Sequence, residues 1–222
     1  GFIGKENQLY SFSLFVQKSD PSSDNDFSYE EIIIFGLGKK DVFHLSVFQH
    51  SLATALRYCG DKALSSVALF VDCRMIKSDL KKEEMYETVG KFLAEALYLS
   101  QYSFTLYKST EEKKKIKEIH EIYFYLHCNS KEDNKKNAEQ QFKKGLLSGI
   151  AVSKGVYLTR DLVNEPASHV YPKKLADVAR SIALESEGLI VCQVLDQERC
   201  TRLGMGAFLG VAKGSDHEPQ FI

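Results

Sequence analysis

The side chains of this 222-residue chain that could do chemistry are scattered rather than gathered. His44 and His50 lie six apart on a predicted helix, and His120 and His127 lie seven apart on a predicted strand, so neither pair shares a face. His169 and His217 stand alone in predicted loops. No His-Glu-x-x-His helix occurs, and no metal is assigned to any histidine. Cys59, Cys73, Cys128, Cys192 and Cys200 form no C-x-x-C pair, and their odd number and scatter favour a reducing, intracellular setting over a disulfide framework. Cys192 falls in an apolar run and reads as a small buried hydrophobe, while Cys200 stays open between packing and chemistry. No Gly-x-Ser-x-Gly elbow offers a nucleophilic serine. Gly36-Leu37-Gly38 sits between a predicted strand and a predicted helix, where backbone N–H groups could cradle a phosphate. It lacks the third glycine of a dinucleotide fingerprint and the spacing of a Walker loop, so a tight turn that needs small residues is favoured. The run from Glu111 to Lys117 mixes both signs without interleaved aromatics and reads as a solvated loop or helix end, not a nucleic-acid patch.

The elements that would position these groups alternate between strand and helix. Gln8 to Gln17 and Glu30 to Phe35 read as strands around the turn-rich stretch 19–26. A helix is predicted from Asp41, its cap, to Cys59, with Gly60 as its stop. Ser65 to Asp72 reads as a buried strand, Asp79 to Ser100 as a helix, and Tyr102 to Tyr107 and Ile119 to Cys128 as further strands. After the polar stretch 131–136, a long helix runs to about Leu162 and must stop near Asn164, because the residue before Pro166 is pushed out of the helical region. Pro172 opens another helix, closed by Gly188. Leu189 to Leu195 then reads as a buried strand, Gln197 to Leu203 as a short helix and Phe208 to Ala212 as a strand. The class is α/β: a mixed sheet flanked by helices over 1–134, a connector helix over 135–165, and the beginning of a second α/β domain over 166–222.

Composition narrows the function classes. With 44% hydrophobic and 27% charged residues the chain is an ordinary globular one, and 29 basic against 30 acidic residues give no field that would hold nucleic acid or an anionic membrane. Its apolar runs fall far short of the roughly 18–20 residues that a membrane helix needs. Gly1 stands where a Met would start a chain, and the apolar end at Ile222 reads as a cut through something longer.

Two strings carry a more specific signal. Leu158-Thr159-Arg160-Asp161-Leu162-Val163-Asn164-Glu165-Pro166-Ala167, followed by Pro172, resembles the domain junction of the leucyl (cytosol) aminopeptidase family. Gly204-Met205-Gly206-Ala207-Phe208-Leu209-Gly210-Val211-Ala212-Lys213-Gly214-Ser215, with Pro219 after it, is similar to that family's next string downstream. Gly36-Leu37-Gly38-Lys39 and the stretch from Ala94-Glu95-Ala96 to Tyr107-Lys108 are similar to weaker landmarks of its N-terminal domain. Two departures stand out: Ser168 replaces a common Asn, and Tyr171 replaces a Thr, which removes the usual hydroxyl cap of the following helix. Lys173 and Lys174 oppose that helix's dipole, at a cost of up to about 1 kcal/mol.

The resemblance implies a macro-like N-terminal domain and a catalytic domain with two divalent cations, manganese or zinc. It also implies a cytoplasmic homo-hexamer that removes N-terminal residues, often leucine, from peptides with a free N-terminus. In such centres the metals polarise the scissile carbonyl and activate a bridging water. Their ligands belong to motifs beyond Gly214-Ser215, and Lys213 and Asp216 match none of them. No catalytic, cofactor-binding or metal residue is therefore carried onto this sequence. The 222 residues alone are expected to bind no metal and to be inactive, and the part after Pro166 to be unstable or sticky. Two alternatives come from other classes. One is a macro-like module that binds a nucleotide or ADP-ribose. The other is a DNA-binding protein, which the near-neutral charge disfavours.

Overall fold

The computed structural model describes residues 3–17, 27–39, 43–72, 82–116, 118–127 and 135–222. Strands β1 (Leu9–Gln17) and β2 (Phe27–Phe35) form an antiparallel pair whose register runs from Leu9 opposite Phe35 to Gln17 opposite Phe27. Helix α1 (Leu45–Asp61), strand β3 (Ser66–Asp72) and helix α2 (Lys82–Gln101) follow, then the short helix α3 (Thr110–Lys114) and strand β4 (Glu121–His127). β4 lies parallel to β3, with Ser66 beside Glu121 and Asp72 beside His127. Helix α4 (Lys135–Asn164) leads to α5 (Pro172–Glu185), α6 (Gln197–Arg202) and α7 (Gly206–Ala212). The class is α/β, as the alternating pattern predicts. The chain divides into two compact units, Gly1–Tyr157 and Leu158–Ile222.

The core of the first unit follows from helical and strand periodicity. Phe48, Leu52, Leu56 and Cys59 of α1, spaced four and three apart, meet Val89, Leu93 and Ala96 of α2, Leu69 and Val71 of β3, and Phe142 of α4. α1 begins and ends differently from its sequence signals. Asp41 lies outside the described residues. His44 occupies the N-cap in an extended conformation with no side-chain cap bond. Gly60 is inside the last turn, and the stop comes after it, where Ala63 takes φ 59° and donates its N–H to Gly60 O at 2.8 Å. A helix stop in the left-handed region favours glycine. Ala63→Gly is therefore expected to raise stability by about 1 kcal/mol in a denaturant titration.

Three sequence expectations are corrected. The stretch 102–107 is an irregular turn, not a strand: Lys108 N–H bonds Thr105 O at 3.1 Å, and Phe104 packs on Tyr107 with ring centres 5.9 Å apart. Residues three apart cannot share a strand face, so that aromatic contact selects the turn. The mixed-sign run, expected as a solvated loop or helix end, is the exposed helix α3, formed through a capping box in which Ser109 Oγ accepts from Glu112 N–H and the Glu112 carboxylate accepts from Ser109 N–H. Leu189 to Leu195 forms no ladder; only Leu195 bridges, to Phe221. Phe208 to Ala212 is helical, within α7, because a five-residue apolar run cannot declare its own period.

Those hydrogen bonds also hold the Glu112 carboxyl below its ordinary value, the backbone N–H of Ser109 contributing most and its hydroxyl next. A depressed carboxyl stabilises above its unfolded value and loses that contribution as pH falls through the folded one. The α3 cap is thus expected to open on acidification only below the usual glutamate range, with the Ser109 amide resonance moving together with the Glu112 titration.

Candidate functional site

The glycine turn is structural. Gly36 N–H donates to Gln8 O at 2.8 Å and Gly38 N–H to Gly4 O at 3.0 Å, so the donors a phosphate would need are already used. A Cβ on Gly36 would lie 2.1 Å from Lys5 O, and Gly38 takes φ +78°, so both positions need glycine for close approach and for backbone angle. Ser51, fully buried, fastens the turn by donating to Gly36 O at 3.3 Å and Asn7 Oδ1 at 3.1 Å. Nothing in this arrangement favours the nucleotide-binding alternative.

The histidines stay apart. His50 Nδ1 meets Ser46 O at 2.9 Å within α1, and His169 Nδ1 meets Ser168 Oγ at 3.1 Å. His120 precedes β4 while His127 ends it, and both are exposed. Among the described residues, no three His, Cys, Asp or Glu gather in a way that could hold a metal ion. Cys59 is buried, and desolvation first, then the Glu31 charge, push its thiol up to about 11. It remains protonated and inert at neutral pH. Cys200 is fully buried with its thiol directed to Leu195 O at 3.8 Å, which settles it as packing. Cys192 is only half-buried and lies outside any strand, which corrects the buried-strand reading.

A cleft of about 550 Å³ opens in the first unit where the end of α2 meets the start of β4. Leu97, Ile119, Ile122 and Phe124 form its apolar wall, with Gln101, Ser103, Thr105, Glu118 and His120 among its polar groups.

In the second unit the residues that follow the two strings meet. α4 closes with Glu165 N–H on Asp161 O at 3.0 Å, and a tight turn follows in which His169 N–H and Val170 N–H both reach Pro166 O. Tyr171 then caps α5 in an extended conformation with no side-chain cap bond, as expected from the missing hydroxyl. Its ring instead stacks on His217, with centres 4.5 Å apart and planes 15° from parallel. The departure from Thr thus packs against the end of the downstream string, a contact for which the sequence carries no signal. The bridge between Leu195 and Phe221 and the edge contact of Phe208 on Phe221 join the same region. Lys213 and Asp216 are exposed. These contacts tie the start of α5 and the stretch before α6 to residues 217–221.

Known proteins share this arrangement. The sequence profile of the cytosol aminopeptidase family's N-terminal domain matches residues 4–111, and that of its catalytic domain matches residues 157–222, in the order the strings imply. The chain belongs to the cytosol aminopeptidase family. A relative from Sulfurihydrogenibium sp. (strain YO3AOP1), named probable cytosol aminopeptidase, is 31% identical over 191 residues, which cover 86% of this chain and 34% of the relative. A mutant of tomato leucine aminopeptidase has the same fold over 99% of this chain and 38% of its own, with a TM-score of 0.73 at 22% identity. The bottromycin maturation enzyme BotP in complex with Mn matches 99% of this chain and 39% of its own, with a TM-score of 0.66 at 20% identity. The chain thus spans about a third of the length of the curated relative it matches. The two cations that the family resemblance implies find no ligand set among the described residues, so these residues do not fit a two-metal centre by themselves. No helix among them is long and apolar enough to cross a membrane.

Proposed function

We propose that these residues are the N-terminal part of a cytoplasmic, metal-dependent aminopeptidase that releases N-terminal residues, often leucine, from peptides with a free N-terminus, and that the whole protein works as a homo-hexamer with two divalent cations, manganese or zinc. The observation that carries this reading is the consecutive match of both halves of one peptidase family, N-terminal domain then catalytic domain, on the same chain. The Mn-bound neighbour supports a divalent cation. The part played by these residues is scaffolding: the glycine turn and α1 fix the first unit, and the Tyr171–His217 stack fixes the entry to the catalytic domain.

The test is to assay the protein encoded by the uninterrupted coding sequence around these residues on a leucyl anilide. Activity should be lost on chelation and return with manganese or zinc, and activity that survives chelation overturns the reading. The purified 222-residue chain is expected to release no leucine under the same conditions. Measurable metal-dependent release by it would show that the chemistry lies within these residues after all.

A further inference from the structure

The cleft beside the start of β4 is graded from a polar mouth to an apolar floor. His120, Ile122 and Phe124 all line it, and alternate residues along a strand share one face, so this is the face that β4 turns toward the core. Glu118 continues the alternation outward: it and His120 are exposed, while Ile119 between them is buried. Leu97 of α2 completes the floor, and Ser103 and Thr105 add two hydroxyls to the lining. The walls are braced without a ligand. Gln101 at the end of α2 accepts the Ile119 N–H at 2.9 Å, and its own amide donates to Leu97 O at 3.4 Å. Tyr157 of α4 donates its hydroxyl to Tyr98 O and sets its ring edge-on to Tyr98 and Tyr102, which ties α4 to the same end of α2. The side chains of Glu118 and His120, by contrast, have no hydrogen-bond or ion-pair partner among the described residues.

We propose that this cleft binds a free apolar α-amino acid, with its ammonium group at Glu118, its carboxylate at His120 and the hydroxyls of Ser103 and Thr105, and its side chain on the apolar floor. The inference rests on the lining and not on the peptidase reading. A head group of both signs follows from the mouth. A fatty acid would bring its carboxylate against Glu118, and a simple amine would leave the imidazole and hydroxyl donors without an acceptor, each a loss that a small ligand cannot offset. The spacing agrees. Glu118 and His120 stand two residues apart, about 6.6 Å in extended backbone, so they can hold the neighbouring ammonium and carboxylate of a single α-carbon. The Ile122 row lies a further two residues in, about 6.6 Å deeper, which is the reach of a large apolar side chain. The volume of about 550 Å³ falls within the range of small-ligand clefts and admits such a molecule with its bound waters. An apolar floor with a few convergent polar groups at one end is also the common plan of such sites.

A heteronuclear NMR titration of the 222-residue chain with L-leucine tests this. The amide resonances of Ser103, Thr105 and His120 should move together and saturate, with a Kd on the order of 1 mM or tighter. L-Alanine, which leaves the floor bare, should bind at least about tenfold more weakly. So should N-acetylleucine, which has no ammonium group, and leucinamide, which has no carboxylate. Glu118→Gln should weaken leucine by about tenfold or more yet leave N-acetylleucine unchanged, and His120→Ala should do the same with leucinamide as the unaffected ligand. Both side chains are exposed, so the spectra of the two free variants should match wild type away from the substitution. No saturable shift up to about 10 mM leucine overturns the proposal. So does N-acetylleucine or leucinamide binding as tightly as leucine, which would make the cleft an apolar groove without head-group recognition, or leucine binding that is unchanged in either variant.

Discussion

Gly145→Ala is expected to destabilise the first unit by about 3 kcal/mol, while Gly155→Ala, ten residues on in the same helix, is expected to stabilise it by up to about 1 kcal/mol. The two substitutions gain the same helix propensity and differ only in what the new methyl meets. A Cβ on Gly145 would lie 1.9 Å from Glu87 O of α2, whereas one on Gly155 meets nothing within 4 Å. Gly149 and Gly90 are equally tight, at 2.4 Å from Lys91 O and 2.3 Å from Phe142 O, so α2 and α4 touch backbone to backbone at three glycines. Ser153, fully buried, continues the stripe one turn on. To reach ordinary contact the helices would have to separate by about 1.5 Å at Gly145, opening the packing of Val89, Leu93 and Phe142 around it. Urea unfolding of the two variants against wild type measures both signs in one experiment. Equal shifts in the same direction would mean that the helices do not cross at Gly145.

Most of the fold was legible because most of its elements have a period. α1, α2, α4 and α5 carry apolar stripes long enough to declare 3.6 residues per turn, and each lies where the stripe puts it. The end of α4 at Asn164 follows from a single stereochemical rule about the residue before Pro166. The failures share a different cause. Phe208 to Ala212 and Leu189 to Leu195 are too short to show a period, and among the described residues neither has a strand beside it to form a ladder with. At Tyr102 to Tyr107 the aromatic content was read as strand propensity, when the same rings were serving a turn.

The site was legible only in part, for a related reason. The glycine turn could be weighed correctly against a phosphate loop because its spacing was wrong for phosphate, and the hydrogen bonds of Gly36 and Gly38 agree. The strings around Pro166 and Gly204 identified the family without revealing chemistry, since what they encode is turn geometry and close approach. The stacking of Tyr171 on His217 joins positions 46 residues apart, and neither residue type announces the other. Long-range contacts between single residues leave no periodic trace, so a cap lost at one position and a partner gained at another can be connected only in three dimensions.

Limited proteolysis of the 222-residue chain is expected to cut first within 186–195, and an apolar dye should bind the second unit in preference to the first. The two units differ in what they bury. In Leu158–Ile222 the buried apolar residues are Ala176, Cys200 and Pro219, all small. Leu189 and Val191 are each 91% exposed, and Val211 is 87% exposed. Each such side chain forgoes about 1.5–3 kcal/mol that full burial would supply, whereas ordering the backbone costs on the order of 1 kcal/mol per residue. Hydrogen bonds within α5 and α6 and the Leu195–Phe221 bridge offset only part of that cost, so local opening should be frequent there. The first unit instead buries Phe48, Leu52, Leu56, Val89, Leu93 and Phe142 together, and the bonds within its helices should resist cleavage. Mass spectrometry of the early fragments decides the matter. Cleavage of 186–195 no faster than that of α1 or α2 would mean that these exposed side chains find cover in solution, and the dye should then show no preference for the second unit.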